Sequence, residues 1–286
     1  MYGFLNMVKP AGMTSHAVVA RVRRLTGIRQ IGHAGTLDPD ATGVLPLAVG
    51  TATRLLMYAQ LLPKVYTARV AIGTSTHSGD AGGRVVARSR VWTLSLDDVK
   101  DAAEWLQGHV WQIPPQVSAL KMGGRRHYQR VHEQEVVWPQ PRRISIDSIE
   151  AIRLVRDGWE FRAVVGSGSY IRALVRDWAD ILGVAGHLAS LQRVQVGVFV
   201  QDAATTLEGL ESLGSAWQER LVPWQRVIAL DATVSLDRAS AERIGHGDMH
   251  VLEQIARDCR GVIGLQWKDQ LLAIAEGPPW RYRVVL

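Results

Sequence analysis

Residues 32–46 read Gly32-His33-Ala34-Gly35-Thr36-Leu37-Asp38-Pro39-Asp40-Ala41-Thr42-Gly43-Val44-Leu45-Pro46. Three glycines and two prolines in fifteen positions argue against any regular helix or strand. Glycine opens backbone angles closed to other residues, and proline fixes φ and removes a donor. Such a segment builds a specific irregular loop, the kind of place where binding and catalytic side chains sit. Asp38 lies at its centre, and Pro39 biases Asp38 toward an extended conformation. The apolar run Val44 to Val49 anchors the loop to a core. The pattern is that of a presented carboxylate, and the rest of the chain must say what receives it.

Composition narrows the answer. A chain of 286 residues, 47% hydrophobic and 21% charged, has globular composition and enough length for one large domain or for a large domain plus a small one. No run of about 18 apolar residues suggests a membrane span. The first ten residues lack the form of a signal peptide, so the expected location is the cytoplasm. One cysteine, Cys259, excludes an internal disulfide and a multi-cysteine metal site. Lys and Arg total 33 against 27 Asp and Glu, a net charge of +6. Lysine supplies only Lys9, Lys64, Lys100, Lys121 and Lys268, so the positive charge is almost all arginine. Arginine favours bidentate phosphate contacts, although a GC-rich genome produces the same bias. A polyanionic partner is therefore suggested by charge without being established by it.

Periodicity sketches the elements. Residues 2–8 read as a buried strand, and Thr14 or Ser15 caps a helix with Val18, Val19, Val22 and Leu25 on one face. After the loop come a helix near 51–61 and a strand at 66–72. Ser95 and Asp98 form a capping box for a helix running to Gly108. Strands are expected at 142–155 and 159–165, with Trp159, Phe161, Ala163 and Val165 on one face. A helix at 170–182 turns Ala173, Leu174, Trp178 and Ile181 inward, and residues 188–199 form another strand. This mixture lacks a βαβ rhythm, so the expected class is α+β with a mixed, largely antiparallel sheet and flanking helices. Residues 200–228 read as a helical connector, and 229–286 as a small, mostly β module. The division is thus 1–228 and 229–286. Residues 121–143 hold Lys121, Arg125, Arg126, His127, Arg130, His132, Arg142 and Arg143, which suit either a solvated loop or a grip on phosphates.

Several chemistries fit poorly. His33, Asp38 and Asp40 lack further acidic neighbours for a divalent cation, so no metal is expected. Residues 73–79 contain glycines but no Gly-Lys-Ser/Thr, and 166–169 are no nucleophile elbow. Cys259 lies in the small module, away from the loop. A carboxylate paired with one arginine is more economical. Asp is a weak nucleophile unless desolvated, and burying it calls for a positive partner. Arg172, in the first turn of the 170–182 helix, is the candidate, with Asp180 as the helical partner of Arg176.

The loop from Gly32 to Pro46 resembles the signature loop of the TruB-type tRNA pseudouridine synthases. Other segments are similar to that family in matching order: Lys9-Pro10-Ala11-Gly12-Met13-Thr14-Ser15, Lys64-Val65-Tyr66, Ile113-Pro114-Pro115 with Ser118-Ala119-Leu120-Lys121, Gly168-Ser169-Tyr170-Ile171-Arg172, and Leu191-Gln192-Arg193 to Gly197. The resemblance spans about residues 4–199. It departs at Val117, where tyrosine is usual, and at His77 and Gly82, where related sequences often have Asp.

The resemblance implies the pseudouridine synthase fold with a PUA-like RNA-binding domain at 229–286. It also implies isomerisation of uridine 55 in the T-loop of tRNA, without cofactor or metal. By matching position, Asp38 is the catalytic carboxylate, Arg172 its ion-pair partner, and Tyr66 the aromatic that stacks on the flipped uracil. His33, Tyr170, Leu191 and Lys9 are implied substrate-binding residues, with Lys9 and Pro10 supporting the active-site wall. Arg125 and Arg126 join them as candidate phosphate contacts. The expected partner is the tRNA T-arm, bound by a monomer with no obligate protein partner. Replacing Arg125 and Arg126 by Ala should weaken tRNA binding at low salt and progressively less as salt rises; an unchanged salt slope in filter binding would make the stretch a solvated loop.

Overall fold

The apolar runs flanking the opening loop pair with each other and start the sheet. The structure, a computed structural model, describes residues 2–90, 92–115, 121–122, 125–126 and 139–286. Strand β1 (Gly3–Lys9) leads to α1 (Ser15–Thr26), β2 (Ile31–His33) and β3 (Thr42–Val49). Thr14 caps α1 by accepting from Ala17 N at 3.1 Å, and Gly27 ends it in the left-handed region. Next come α2 (Leu56–Leu61), β4 (Lys64–Ile72) and the side hairpin of β5 (Thr74–Thr76) and β6 (Val85–Arg88). Helix α3 (Leu96–Glu104) and β7 (Gly108–Gln112) precede a two-residue pair, β8 (Lys121–Met122) and β9 (Arg125–Arg126). Strands β10 (Arg142–Val155) and β11 (Gly158–Val165), helix α4 (Ile171–Ile181), and strands β12 (Gly186–Val196) and β13 (Phe199–Val200) follow. Helix α5 (Leu207–Leu213) and β14 (Leu221–Val222) lead into the C-terminal part: β15 (Ala232–Ser235), α6 (Arg238–Gly245), α7 (Met249–Ile255), β16 (Gly261–Trp267), β17 (Gln270–Gly277) and β18 (Arg281–Val285).

The main sheet runs β14-β1-β3-β12-β4-β11-β10-β7, with β2 on β3 and β13 on β12; a separate four-stranded sheet runs β15-β16-β17-β18. All pairings in the main sheet are antiparallel except β3 with β12, which are parallel. This is the expected mixed, largely antiparallel α+β sheet. Strand alternation sorts its core. Phe4, Val44 and Ala48 face one way into a cluster that takes in Leu271, Ile274 and Val284 of the C-terminal sheet. Leu5, Leu45 and Leu47 pack with Val18, Val22 and Leu210 of the flanking helices. Trp159, Phe161, Ala163 and Val165 are buried together, against α3 and α4. Trp178 Nε1 donates to Val99 O at 3.0 Å and fixes those two helices to each other.

Several expectations need correction. The opening segment is irregular only over 34–41, because β2 ends at His33 and β3 begins at Thr42. Pro46 sits within β3, where its carbonyl accepts from Ala34 N at 2.9 Å. The helix near 51–61 is split: Gly50–Leu55 is a 3₁₀ turn, with Thr53 Oγ1 donating back to Gly50 O at 2.9 Å in competition with regular helix. Helix α3 stops at Glu104, since Leu106 N and Gln107 N turn back to Ala103 O and Glu104 O, and Gly108 opens β7 instead. Ile181 is 49% exposed rather than inward. Arg176 pairs with Asp177 at 2.7 Å, not with Asp180. The connector at 200–228 also supplies β14, which lengthens the main sheet beside β1. The 118–120 motif, Val117, His127, Arg130 and His132 lie outside the described residues.

The parallel contact of β3 and β12 depends on Gly43. Its φ is +105°, and a Cβ there would stand 2.2 Å from Arg193 O. Gly43→Ala must separate the two strands or strain the backbone, and should destabilise the protein by about 3 kcal/mol or more in urea unfolding. A loss under about 1 kcal/mol would mean that the junction yields easily.

Candidate active site

The irregular loop is held in shape by buried side chains that satisfy its backbone. Lys9 is fully buried, and its ammonium donates to the carbonyls of Pro10 (2.8 Å), Met13 (2.7 Å) and Pro39 (2.7 Å). Ser15 Oγ accepts from Leu37 N at 2.9 Å and donates to Leu37 O at 3.2 Å. Ala41 N returns to Asp38 O at 3.1 Å, closing a turn over Pro39. From the other side, Arg193 Nε donates to Val44 O (2.7 Å) and Nη2 to Gly35 O (3.1 Å). Lys9, implied by the resemblance as a substrate-binding residue that supports the active-site wall, has its protons committed to carbonyls and is not among the residues lining the cavity beside the loop.

Asp38 pairs directly with Arg172 in the first turn of α4. Arg172 Nε lies 3.0 Å from Asp38 Oδ2, and Nη2 donates to Asp38 Oδ1 at 3.3 Å. This fork is the bidentate geometry that makes such pairs directional. The buried member is the arginine, however: its side chain is 6% exposed and that of Asp38 41%. The expectation of a buried carboxylate is thereby reversed, because the carboxylate stands at a cavity and the guanidinium in the wall. Arg172 Nη1 also donates to Ser78 O at 2.8 Å and lies 3.6 Å from Asp80 Oδ2. Asp80 is oriented in turn by Ser78 Oγ (2.7 Å) and Gly82 N (3.2 Å).

The approach to α4 is clamped as well. Gln112, at the end of β7, accepts from Tyr170 N at 2.8 Å and donates to Tyr170 O at 3.2 Å. Two hydrogen bonds to the backbone of one residue set where the helix starts and hence where Arg172 lies. Nothing in the sequence singled out Gln112, which precedes the Pro114-Pro115 pair as an ordinary strand residue. Ser78 was likewise missed, in the 73–79 segment set aside for lacking a phosphate motif, as was Asp80 just beyond it.

A cavity of about 300 Å³ opens between the loop, β4, β12 and the start of α4. Asp38, Tyr66, Tyr170, Arg172 and Leu191 all line it, so five of the nine sequence-nominated residues converge. Arg193 lies opposite Tyr66 and Leu191 opposite Ala68 in the β12–β4 register. His33 is not among the lining residues; its ring stands edge-on to His16, with centroids 5.0 Å apart. Arg125 and Arg126 belong to β9, and their side chains lie outside the described residues. The cavity also reaches Lys64 and Arg193, present in the recognised motifs but not nominated for the site. Period-two alternation was the available signal, since Lys64 and Tyr66 share a strand face.

Comparison with known proteins gives consistent matches. The family model described as TruB family pseudouridylate synthase (N terminal domain) matches residues 23–171. The tRNA pseudouridine synthase B of Thermobifida fusca (strain YX) is 40% identical over 284 residues, covering 96% of this chain and 94% of that protein. Its counterpart in Moorella thermoacetica is 45% identical over 210 residues, covering 72% and 69%. Among solved structures, a chain of a Cbf5-Nop10-Gar1 complex matches with a TM-score of 0.71 at 24% identity, covering 96% of this chain and 78% of that one; the likeness is one of fold.

Lys64 makes the site sensitive to pH. Burial, reinforced by nearby Arg193, lowers its pKa from 10.5 to about 8. Between those values the unfolded chain binds more protons than the folded one, so folding gains stability as pH rises through the window. In chemical denaturation, wild type should therefore gain stability relative to Lys64→Met between about pH 8 and pH 10. A difference independent of pH would show that Lys64 is not desolvated.

Proposed function

The chain belongs to the TruB family of pseudouridylate synthases, and we propose that it isomerises uridine to pseudouridine in tRNA, at position 55 of the T-loop. The observation that carries this reading is the Arg172–Asp38 fork facing a cavity walled by Tyr66 and Leu191. The relatives named for tRNA support the substrate, and the excess of basic residues suits it. That excess lies within residues 1–228, because 229–286 carry seven Lys and Arg against eight Asp and Glu. A role in RNA binding for the C-terminal module would thus rest on shape and hydrogen bonding rather than net charge.

The reaction needs the base-to-ribose bond broken, the uracil turned, and a new bond made from C5. A stacked nucleotide hides those atoms, so the uridine must leave the stack and enter the cavity. Tyr66 then offers an aromatic face in place of the lost stacking and stands near the C5 proton. Leu191 packs against the base and helps retain it once detached. Asp38, held by Arg172, supplies the carboxylate at the reacting sugar and base. Arg172 acts by orientation: with its planar fork fixed by Ser78 and Asp80, the carboxylate has one preferred plane. His33 lies outside the cavity and would contact the surrounding loop of the RNA.

Purified protein and tRNA labelled with tritium at C5 of uridine test the reading, since pseudouridine formation releases the label. Asp38→Asn should lower release by about 10³-fold or more while tRNA binding stays within a few-fold of wild type. If wild type retains the tritium, the chain is an RNA binder rather than a synthase. Near-normal turnover by Asp38→Asn would remove Asp38 from the chemistry.

A further inference from the structure

Among the described residues, the buried charged side chains are Lys9, Lys64, Arg172 and Arg193, all of them cations. Arg172 has carboxylates for partners, and Lys9 faces away behind the loop on three carbonyls. Lys64 and Arg193 differ from both. They line the cavity, and among the described residues no carboxylate lies within ion-pair distance of either. Lys64 spends two of its three N–H donors on Gln60 O and Leu62 O, each at 2.7 Å, which leaves one. Arg193 commits Nε and Nη2 to backbone carbonyls, and its Nη1 lies 3.6 Å from where a side chain at Gly35 would begin. Two desolvated, unneutralised cations side by side are costly alone and become favourable when an anion joins them.

We propose that Lys64, with Arg193 beside it, stabilises the negative charge on the uracil while it is detached from the ribose. This rests on the synthase reading above. When the bond between N1 and C1′ breaks, its electron pair leaves with the base, which becomes a uracil anion, and the complementary positive charge stays on the ribose at C1′ until C5 supplies the electrons of the new bond. The base turns, C5 forms the new bond to C1′, the C5 proton passes to solvent, and N1 takes one proton back. The product is an isomer, and the negative charge exists only between cleavage and rebonding. Bound uridine carries no such charge, so the stabilisation is differential and acts on turnover rather than on binding. A phosphate flanking the flipped nucleotide is the other anion that could meet these cations. It is present before chemistry begins, and contact with it would appear in affinity.

Single-turnover tritium release and tRNA affinity should be measured for Lys64→Met, Lys64→Gln and Lys64→Arg, with melting curves to confirm folding. The expected result is a fall of about 10²-fold in rate for Met and Gln, affinity within twofold of wild type, and substantial rescue by Arg. The titratable and charged neighbours on the cavity wall are Arg193, Tyr66, Tyr170, Asp38 and Arg172. Against that background, the wild-type rate should fall as Lys64 deprotonates above about pH 8, and Lys64→Arg should lack this decline. Weakened affinity with an unchanged rate would assign Lys64 to a phosphate and overturn the proposal. Full activity of folded Lys64→Met would overturn it too, leaving the synthase reading intact. Absence of tritium release by wild type would instead sink that earlier reading.

Discussion

One guanidinium ties the site together. Arg172 is buried at the start of α4 and reaches the loop at Asp38, the turn at Ser78 and the carboxylate of Asp80. Asp38 lies forty residues before the Ser78–Asp80 turn, and both lie far from Arg172 in sequence, so the contacts exist only when the sheet is assembled. A buried arginine lacking such partners would be costly, which couples correct assembly of the site to folding itself. The geometry of Asp38 is thus secured by the same interaction that stabilises the junction of loop, turn and helix.

The parts most legible in sequence were those governed by short-range rules. The Ser95–Asp98 capping box, the alternation of Trp159, Phe161, Ala163 and Val165, and the Thr14 cap all appear as expected. Asp38, Tyr66, Tyr170, Arg172 and Leu191 were nominated through motifs and converge on one cavity. What escaped depends on distant pairing. Gln112 acquires its role only because β7 ends beside the start of α4, fifty-eight residues further on. Asp80 gains its role only because its turn packs against the first turn of α4. The reversal of burial between Asp38 and Arg172 has the same origin, because motif order says who meets whom and not which partner faces the solvent.

The C-terminal sheet is less separate than its change of composition suggests. Leu271, Ile274 and Val284 share a core with Phe4, Val44 and Ala48, and Tyr2 Oη accepts from Leu271 N at 2.8 Å. Arg54 adds a bond to Val285 O at 2.6 Å. The module packs directly behind the strand that carries the loop.

The buried cations carry a last consequence. Their hydrogen-bond partners are mostly backbone carbonyls: those of Pro10, Met13, Pro39, Gly35, Val44, Gln60, Leu62 and Ser78. Neutral acceptors solvate a cation without cancelling its charge, and mobile ions screen a buried charge poorly. Exposed arginines gripping phosphates are screened readily. Added electrolyte therefore separates two stages of the enzyme's work, loosening its hold on a polyanion while leaving the field inside the cavity nearly constant.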